Sequence, residues 1–212
     1  LLLNKLWTYL EESKFPICVT STELINDYQK KENIYHFPNV IPIELLREVP
    51  EKVPNQVVFV GTLSQMKIDL KWLINLVRKN PNYNFLIIGR NVDLNLSELI
   101  EHSNVEWLGP MDYEKAQDIV RQSPIALMPF LLNKYTIGMH PMKYFEYLAA
   151  HCNVVSTNIR FFQDESYSHL PKTLSIGGNI RLLSLLHSDV DVDLKEYTYK
   201  SRIKEMKKKR LI

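Results

Sequence analysis

Several things are scarce or missing in this 212-residue chain, and each absence excludes a class of protein. Only two cysteines occur, Cys18 and Cys152, far apart and both in apolar, strand-like settings. A disulfide framework is therefore excluded, and the reduced thiols fit a cytoplasmic protein. No run of eighteen apolar residues exists, so no membrane-spanning helix is expected. Net charge is only +2, which gives no global electrostatic case for nucleic acid. Neither G-x-x-x-x-G-K-[ST] nor G-x-G-x-x-G is present, which removes the P-loop and the dinucleotide fingerprint. There is no internal repeat. The opening LLLNKLWTYLEES has no initiator Met, no basic leader and no small-residue cleavage site, and reads as an amphipathic helix. The expectation is a fragment of a longer chain.

What is present is a regular alternation. Short β-branched or aromatic runs at 16–21, 56–63, 83–89, 104–109, 124–130, 153–157 and 172–176 are separated by helical patterns near 22–32, 67–80, 112–122, 141–151 and 178–187. The strand runs are almost continuously apolar, as expected when both faces of a parallel sheet are covered by helices. The expected fold class is α/β, a Rossmann-like doubly wound parallel sheet. Four of the eleven prolines, Pro38, Pro42, Pro50 and Pro54, fall together, and they predict a stiff connector outside the core. A boundary is placed there. Residues 1–37 read as the end of another domain, 38–194 as the main domain, and 195–212 as a basic C-terminal helix.

Ligands on such sheets sit over the loops that leave the carboxyl ends of the strands. The first of these loops, GTLSQMKID (61–69), offers a turn at Gly61 and Thr62, backbone N–H groups, a helix start and Lys67. That combination suits phosphate, while Lys67 taken alone reads as an exposed lysine at a helix start. The second, 89–95, opens with Gly89 and Arg90; the third, 108–114, contains Leu108, Gly109 and Asp112 as a candidate helix cap. The fourth, 131–141, is the longest and carries Gly138, Met139 and His140 before Pro141 at a helix start. His140 alone is expected on the surface beside the helix. Within HPMKYFEYLAA, the carboxylate of Glu146 is an oddity in an apolar helix: a solvated position or a ligand contact. The tail KSRIKEMKKKRLI sets seven basic residues against Glu205. It reads as a solvated helix end whose cations suit the C-terminal dipole, or as a surface attracted to an anionic membrane or an acidic partner.

Taken together, FPNV (37–40), VVFVGTLSQMKID (57–69), NPNYNFLIIG (80–89), NVEWLG (104–109), MPF (128–130) and PMKYFEYLAAHCNVVST (141–157) resemble the C-terminal domain of GT-B-fold glycosyltransferases of the group 1 type. The resemblance spans roughly residues 16–190 in order. It implies that Glu146 binds the ribose hydroxyls of a nucleotide sugar and that Lys67 contacts its diphosphate. Gly61, Thr62, Met139 and His140 would complete the phosphate site, and Gly89, Arg90, Leu108 and Gly109 would surround the base. The implied reaction moves a sugar from a UDP- or GDP-sugar to a glycan or lipid-linked acceptor, with retention and without metal or other cofactor; the expected location is cytoplasmic, with the basic tail offering peripheral contact at the inner face of the membrane. The chain departs from the family pattern at Thr62, Gly138, His151 and Asn153. Thr62, Gly138 and His151 motivate a second reading, a non-catalytic glycosyltransferase-like binding or assembly domain. Two weaker rivals are a GT-A enzyme holding Mn²⁺ on DVDVD (189–193), a stretch that otherwise caps the last helix, and a response-regulator-like domain, which lacks its acidic cluster.

Overall fold

The computed structural model describes residues 5, 8–10, 12, 15–26, 32–182, 190 and 192–211. The predicted leading helix and the helix near 178–187 fall largely outside the described residues, as do Asp189 and Asp191. In chain order the elements are β1 (Ile17–Val19), α1 (Thr22–Asn26), β2 (Ile34–His36), β3 (Gln56–Val60), α2 (Leu70–Lys79), β4 (Asn84–Ile88) and α3 (Ser97–Ile100). They continue with β5 (Val105–Gly109), α4 (Tyr113–Gln122), β6 (Ile125–Met128), α5 (Met142–Ala149), β7 (Asn153–Ser156), β8 (Thr173–Leu174) and α6 (Tyr199–Lys208).

Six strands form one parallel sheet in the order β5-β4-β3-β6-β7-β8, with β3 at the point where the order reverses. A separate parallel pair, β1 and β2, belongs to the first thirty-seven residues. Why both sheet faces are apolar follows from the period of two along each strand. Val57 and Phe59 of β3, with Phe85, Ile87, Ile125 and Leu127, face Trp72, Leu73, Leu76 and Val77 of α2. Val58, Ile88, Ala126 and Met128 point the other way, toward Ala116 and Val120 of α4 and Tyr144, Phe145, Tyr147 and Leu148 of α5. Burial of each large side chain of this kind contributes about 1.5–3 kcal/mol. β5 differs from its continuous-run expectation: at the sheet's edge, Glu106 and Trp107 are exposed.

The proline-rich segment is not the connector outside the core that its composition predicts. Val40, Ile41 and Leu45 are buried, Ile41 completely, and Ile41 pairs with the chain just before α6 through Ile41 N–H to Tyr197 O at 2.9 Å. Proline restricts φ without dictating where the intervening apolar side chains point. Close by, Lys52 reaches inward and donates to Arg121 O (2.9 Å), Ser123 O (3.0 Å) and Ala150 O, so one ammonium caps the C-terminal ends of α4 and α5. No helix among the described residues is long and apolar enough to cross a membrane.

Candidate functional site

The carboxyl ends of β3, β4 and β5 are built on glycine for steric reasons. Gly61 N–H donates to Ile88 O at 2.9 Å, and Gly89 N–H to Gly109 O at 2.8 Å. Gly89 sits at φ +139°, and a Cβ there would lie 1.9 Å from Gly61 O. Only glycine lets these two strand ends approach so closely. Between β4 and β5 the register slips so that Leu108 is bulged and Gly109 takes φ +68°. Trp107 Nε1 donates to Gly89 O at 3.0 Å, covering the same corner. Gly61, Gly89, Leu108 and Gly109 are thus contiguous, with the exposed Arg90 at their rim.

The first loop is not an open cradle. Leu63 N–H donates to Arg90 O (2.9 Å), Val92 N–H to Leu63 O (2.9 Å) and Gln65 N–H to Asp93 Oδ1 (2.8 Å), which zips the first loop to the second. Gly61 N–H is taken by the sheet, so Gly61 serves the turn and not as a donor. On its other side the first loop is held against the fourth. Leu131 N–H donates to Lys67 O (2.8 Å), Asn133 Nδ2 to Met66 O (2.8 Å), and Asp69 N–H to Pro129 O (2.8 Å). Helix α2 begins at Leu70, with Asp69 as its N-cap accepting from Trp72 N–H at 3.0 Å, so Lys67 lies in the approach to the helix.

This zipper brings Lys67 to a cavity of about 440 Å³ lined by Glu23, Leu24, Lys134, Tyr135, Ile137, Gly138 and Met139. Lys67 Nζ stands 5.6 Å from the centre of the Tyr135 ring. Around one open hollow stand two ammonium groups and an aromatic ring, while the Glu23 carboxylate is held by Arg160, and the surface favours an anion. Lys134 was not singled out in the sequence, because a lone lysine in a long loop carries no pattern; only the pairing of the two loops exposes it.

Helix α5 is fixed over the end of β3 by Tyr147, whose hydroxyl accepts from Val60 N–H at 3.0 Å. One residue earlier, Glu146 is 5 % exposed, which excludes the solvated alternative. Its Oε2 accepts from Lys143 Nζ at 2.7 Å and from Gln117 Nε2 at 2.8 Å. Oε1 has no partner among the described residues. Lys143 Nζ also stands 5.5 Å from the Tyr113 ring, and burial, together with the Glu146 charge, pushes the Tyr113 hydroxyl up to about 12. Glu146 does not line the cavity that holds Lys67. The sequence did hold a clue to Lys143, three residues before Glu146 on a helix; Gln117 and Tyr113 are contributed by α4 and needed the fold.

His140 is not on the surface. Its ring is 5 % exposed, stacks on Phe145 at 5.4 Å, meets Phe161 and Tyr167 edge-on, and shares a hydrogen bond with the Tyr167 hydroxyl at 3.0 Å. Burial depresses its pKa to about 4, so the imidazole is neutral near pH 7. Its backbone carbonyl accepts from Asn39 Nδ2 at 2.9 Å, fixing the start of α5. At the other end of α5, His151 adopts φ +54°. Cys152 N–H bonds to Tyr147 O and His151 N–H to Leu148 O, a helix end that ordinarily favours glycine. Of the acidic stretch 189–193, Asp193 accepts from Lys195 N–H at 3.0 Å; the last helix is capped by Thr198 instead.

A parallel sheet that reverses at β3, glycine-lined strand ends and a cationic cavity between the first and fourth loops define the Rossmann-like part of a GT-B glycosyltransferase fold. Residues 54–168 match the model of the family "Glycosyl transferases group 1", and the chain belongs to that family. A protein of Bacillus subtilis (strain 168) named for teichuronic acid biosynthesis, the glycosyltransferase TuaH, is 33% identical over 104 residues, 48% of this chain and 26% of its own. Similar solved structures include AviGT4, a glycosyltransferase of avilamycin A biosynthesis (TM-score 0.68, 12% identity, covering 91% of this chain and 62% of its own). Another is the pneumococcal O-GlcNAc transferase GtfA with UDP and GlcNAc (0.60, 12%, 96% and 46%). A third is Anabaena HepE with UDP and glucose (0.58, 12%, 99% and 62%). The chain spans less than two thirds of each of these proteins.

Proposed function

We propose that this chain carries the nucleotide-sugar site of a glycosyltransferase of the hexosyl type. The observation that carries the reading is the convergence of Lys67, Lys134, Gly138 and Met139 on one cavity. In this reading the two lysines hold the donor diphosphate, with Gly61 shaping the turn that places Thr62, and Met139 and His140 following on the other side, although the Gly61 and Met139 N–H groups bond within the chain. A leaving diphosphate stabilised by fixed cations and loop dipoles needs no metal. Glu146 receives ribose hydroxyls on Oε1 while Lys143 and Gln117 hold Oε2, since each carboxylate oxygen can accept two bonds. The base lies against Gly89, Arg90, Leu108 and Gly109. The UDP bound in the GtfA and HepE structures supports a UDP-sugar donor, with a GDP-sugar as the alternative. Transfer proceeds with retention to a glycan or lipid-linked acceptor of a cell-surface polysaccharide, on the cytoplasmic side. Residues 1–37 then end an acceptor domain, and 38–194 form the donor domain.

A non-catalytic glycosyltransferase-like module is the second reading, and one observation favours it. Leu24 Cδ2 lies 3.4 Å from where a Gly138 Cβ would sit, so the fourth loop packs on the preceding segment at one of the positions where the chain departs from the family pattern. Calorimetric titration with UDP, GDP and their sugars tests the proposal. Binding that falls about tenfold in Lys67→Ala and again in Lys134→Ala supports it, each lost charge-assisted contact being worth about 1.5–3 kcal/mol. No heat with any nucleotide refutes it.

A further inference from the structure

Helix α6 has two faces of opposite character. Its inner face rests on Phe37 and Ile41. Arg202 and Lys209 lie 5.4 and 5.2 Å from the Phe37 ring centre, both bond Glu205, and Tyr199 N–H donates to Ile41 O at 3.2 Å. The outer face carries Lys200, Lys204, Lys207 and Lys208, all exposed and without an ion-pair partner among the described residues. At helical spacing these four form one stripe. Beside it runs a second, shorter stripe, Tyr199 and Ile203, 50% and 47% exposed. The helix's single acid, Glu205, is turned inward, so nothing on this face offsets the lysines.

The fold gives no reason for this arrangement. Like charges four residues apart repel one another along a helix. The helix dipole favours Lys207 and Lys208 in the last turn, but it disfavours Lys200 in the first. A lysine stripe flanked by an exposed tyrosine and isoleucine matches a partner that presents anions and an apolar layer side by side. We infer that the outer face of α6 docks on an anionic lipid surface, with the lysines on headgroups and Tyr199 and Ile203 entering the headgroup–acyl boundary. An acidic protein surface would account for the lysines alone and leave the two apolar side chains without a role.

Sedimentation with phosphatidylcholine vesicles, with and without about one third phosphatidylglycerol, tests this. The expected result is at least tenfold tighter binding to the anionic vesicles. That binding should fall about tenfold in Lys200→Gln/Lys204→Gln/Lys207→Gln and severalfold in Ile203→Ser, with circular dichroism unchanged. Equal binding to both vesicle types overturns the inference. So does retention on soluble heparin as strong as on vesicles and indifferent to Ile203→Ser. UDP titration of the triple variant should match the parent, so failure of lipid docking and failure of the donor-site reading show separately.

Discussion

Replacing Glu146 separates its structural work from its binding work. In Glu146→Ala the carboxylate that receives Gln117 and Lys143 disappears. Gln117 is 2% exposed, so its amide loses a partner it cannot replace with water, at about 1–3 kcal/mol. The Lys143 side chain is 30% exposed and can turn to solvent, so its ion pair is worth only about 0–1 kcal/mol. The expected loss is about 2–3 kcal/mol, or roughly 4–12 °C in Tm for a chain of this size. Glu146→Gln keeps the shape and an oxygen able to accept from Gln117, so its stability loss should stay near 1 kcal/mol. If Oε1 receives ribose hydroxyls, however, removing the charge weakens those bonds by about 1–2 kcal/mol, or roughly tenfold in the Kd for UDP. Urea denaturation of both variants, with calorimetric UDP titration of Glu146→Gln, provides both readouts. A Glu146→Gln variant that is stable and binds UDP as tightly as the parent would refute the ribose role, leaving Glu146 as a structural carboxylate.

Two further outcomes concern the frame of the site. The His140 pKa is about 4 in the fold against 6.5 ordinarily, so the unfolded chain takes up the proton first as pH falls. Stability from this group is complete above pH 6.5 and is lost between pH 6.5 and 4, by about 3 kcal/mol in all. His36, shifted the same way, adds to the slope, so His140→Phe should shrink it without abolishing it in urea melts at pH 7 and pH 4.5; parallel curves would disprove the assignment. Gly89→Ala places a methyl 1.9 Å from Gly61 O at φ +139° and should lose more than about 3 kcal/mol, read by urea denaturation. A loss below about 0.5 kcal/mol would mean that the β3 and β4 ends can part freely.

The fold was largely legible because its signal is periodic. Each strand of the six-stranded sheet lies within a predicted run, and α2, α4 and α5 lie within predicted helical patterns, since burial on both faces leaves few polar residues in a strand. What escaped was set by packing at a distance. α3 is a single turn with no periodicity to detect. The proline-rich segment looked like a linker because composition does not reveal that Ile41 will pair with the residues just before α6. His140 looked like a surface residue because the aromatic cage around it comes from α5, Phe161 and Tyr167, the last two beyond β7.

The sequence alone determined the class of fold, the order of the strand-end loops and the position of glycines that only a close backbone approach requires, because these are properties of local pattern and steric allowance. Tertiary structure alone decided which side chains meet. Lys134 joins Lys67 only because the first and fourth loops are hydrogen-bonded side by side. Gln117 and Lys143 hold one oxygen of Glu146 only because α4 and α5 lie against the same face of the sheet. Charge is written in the sequence, but whether a charge is paired, buried or left facing outward depends on neighbours that folding brings from elsewhere in the chain.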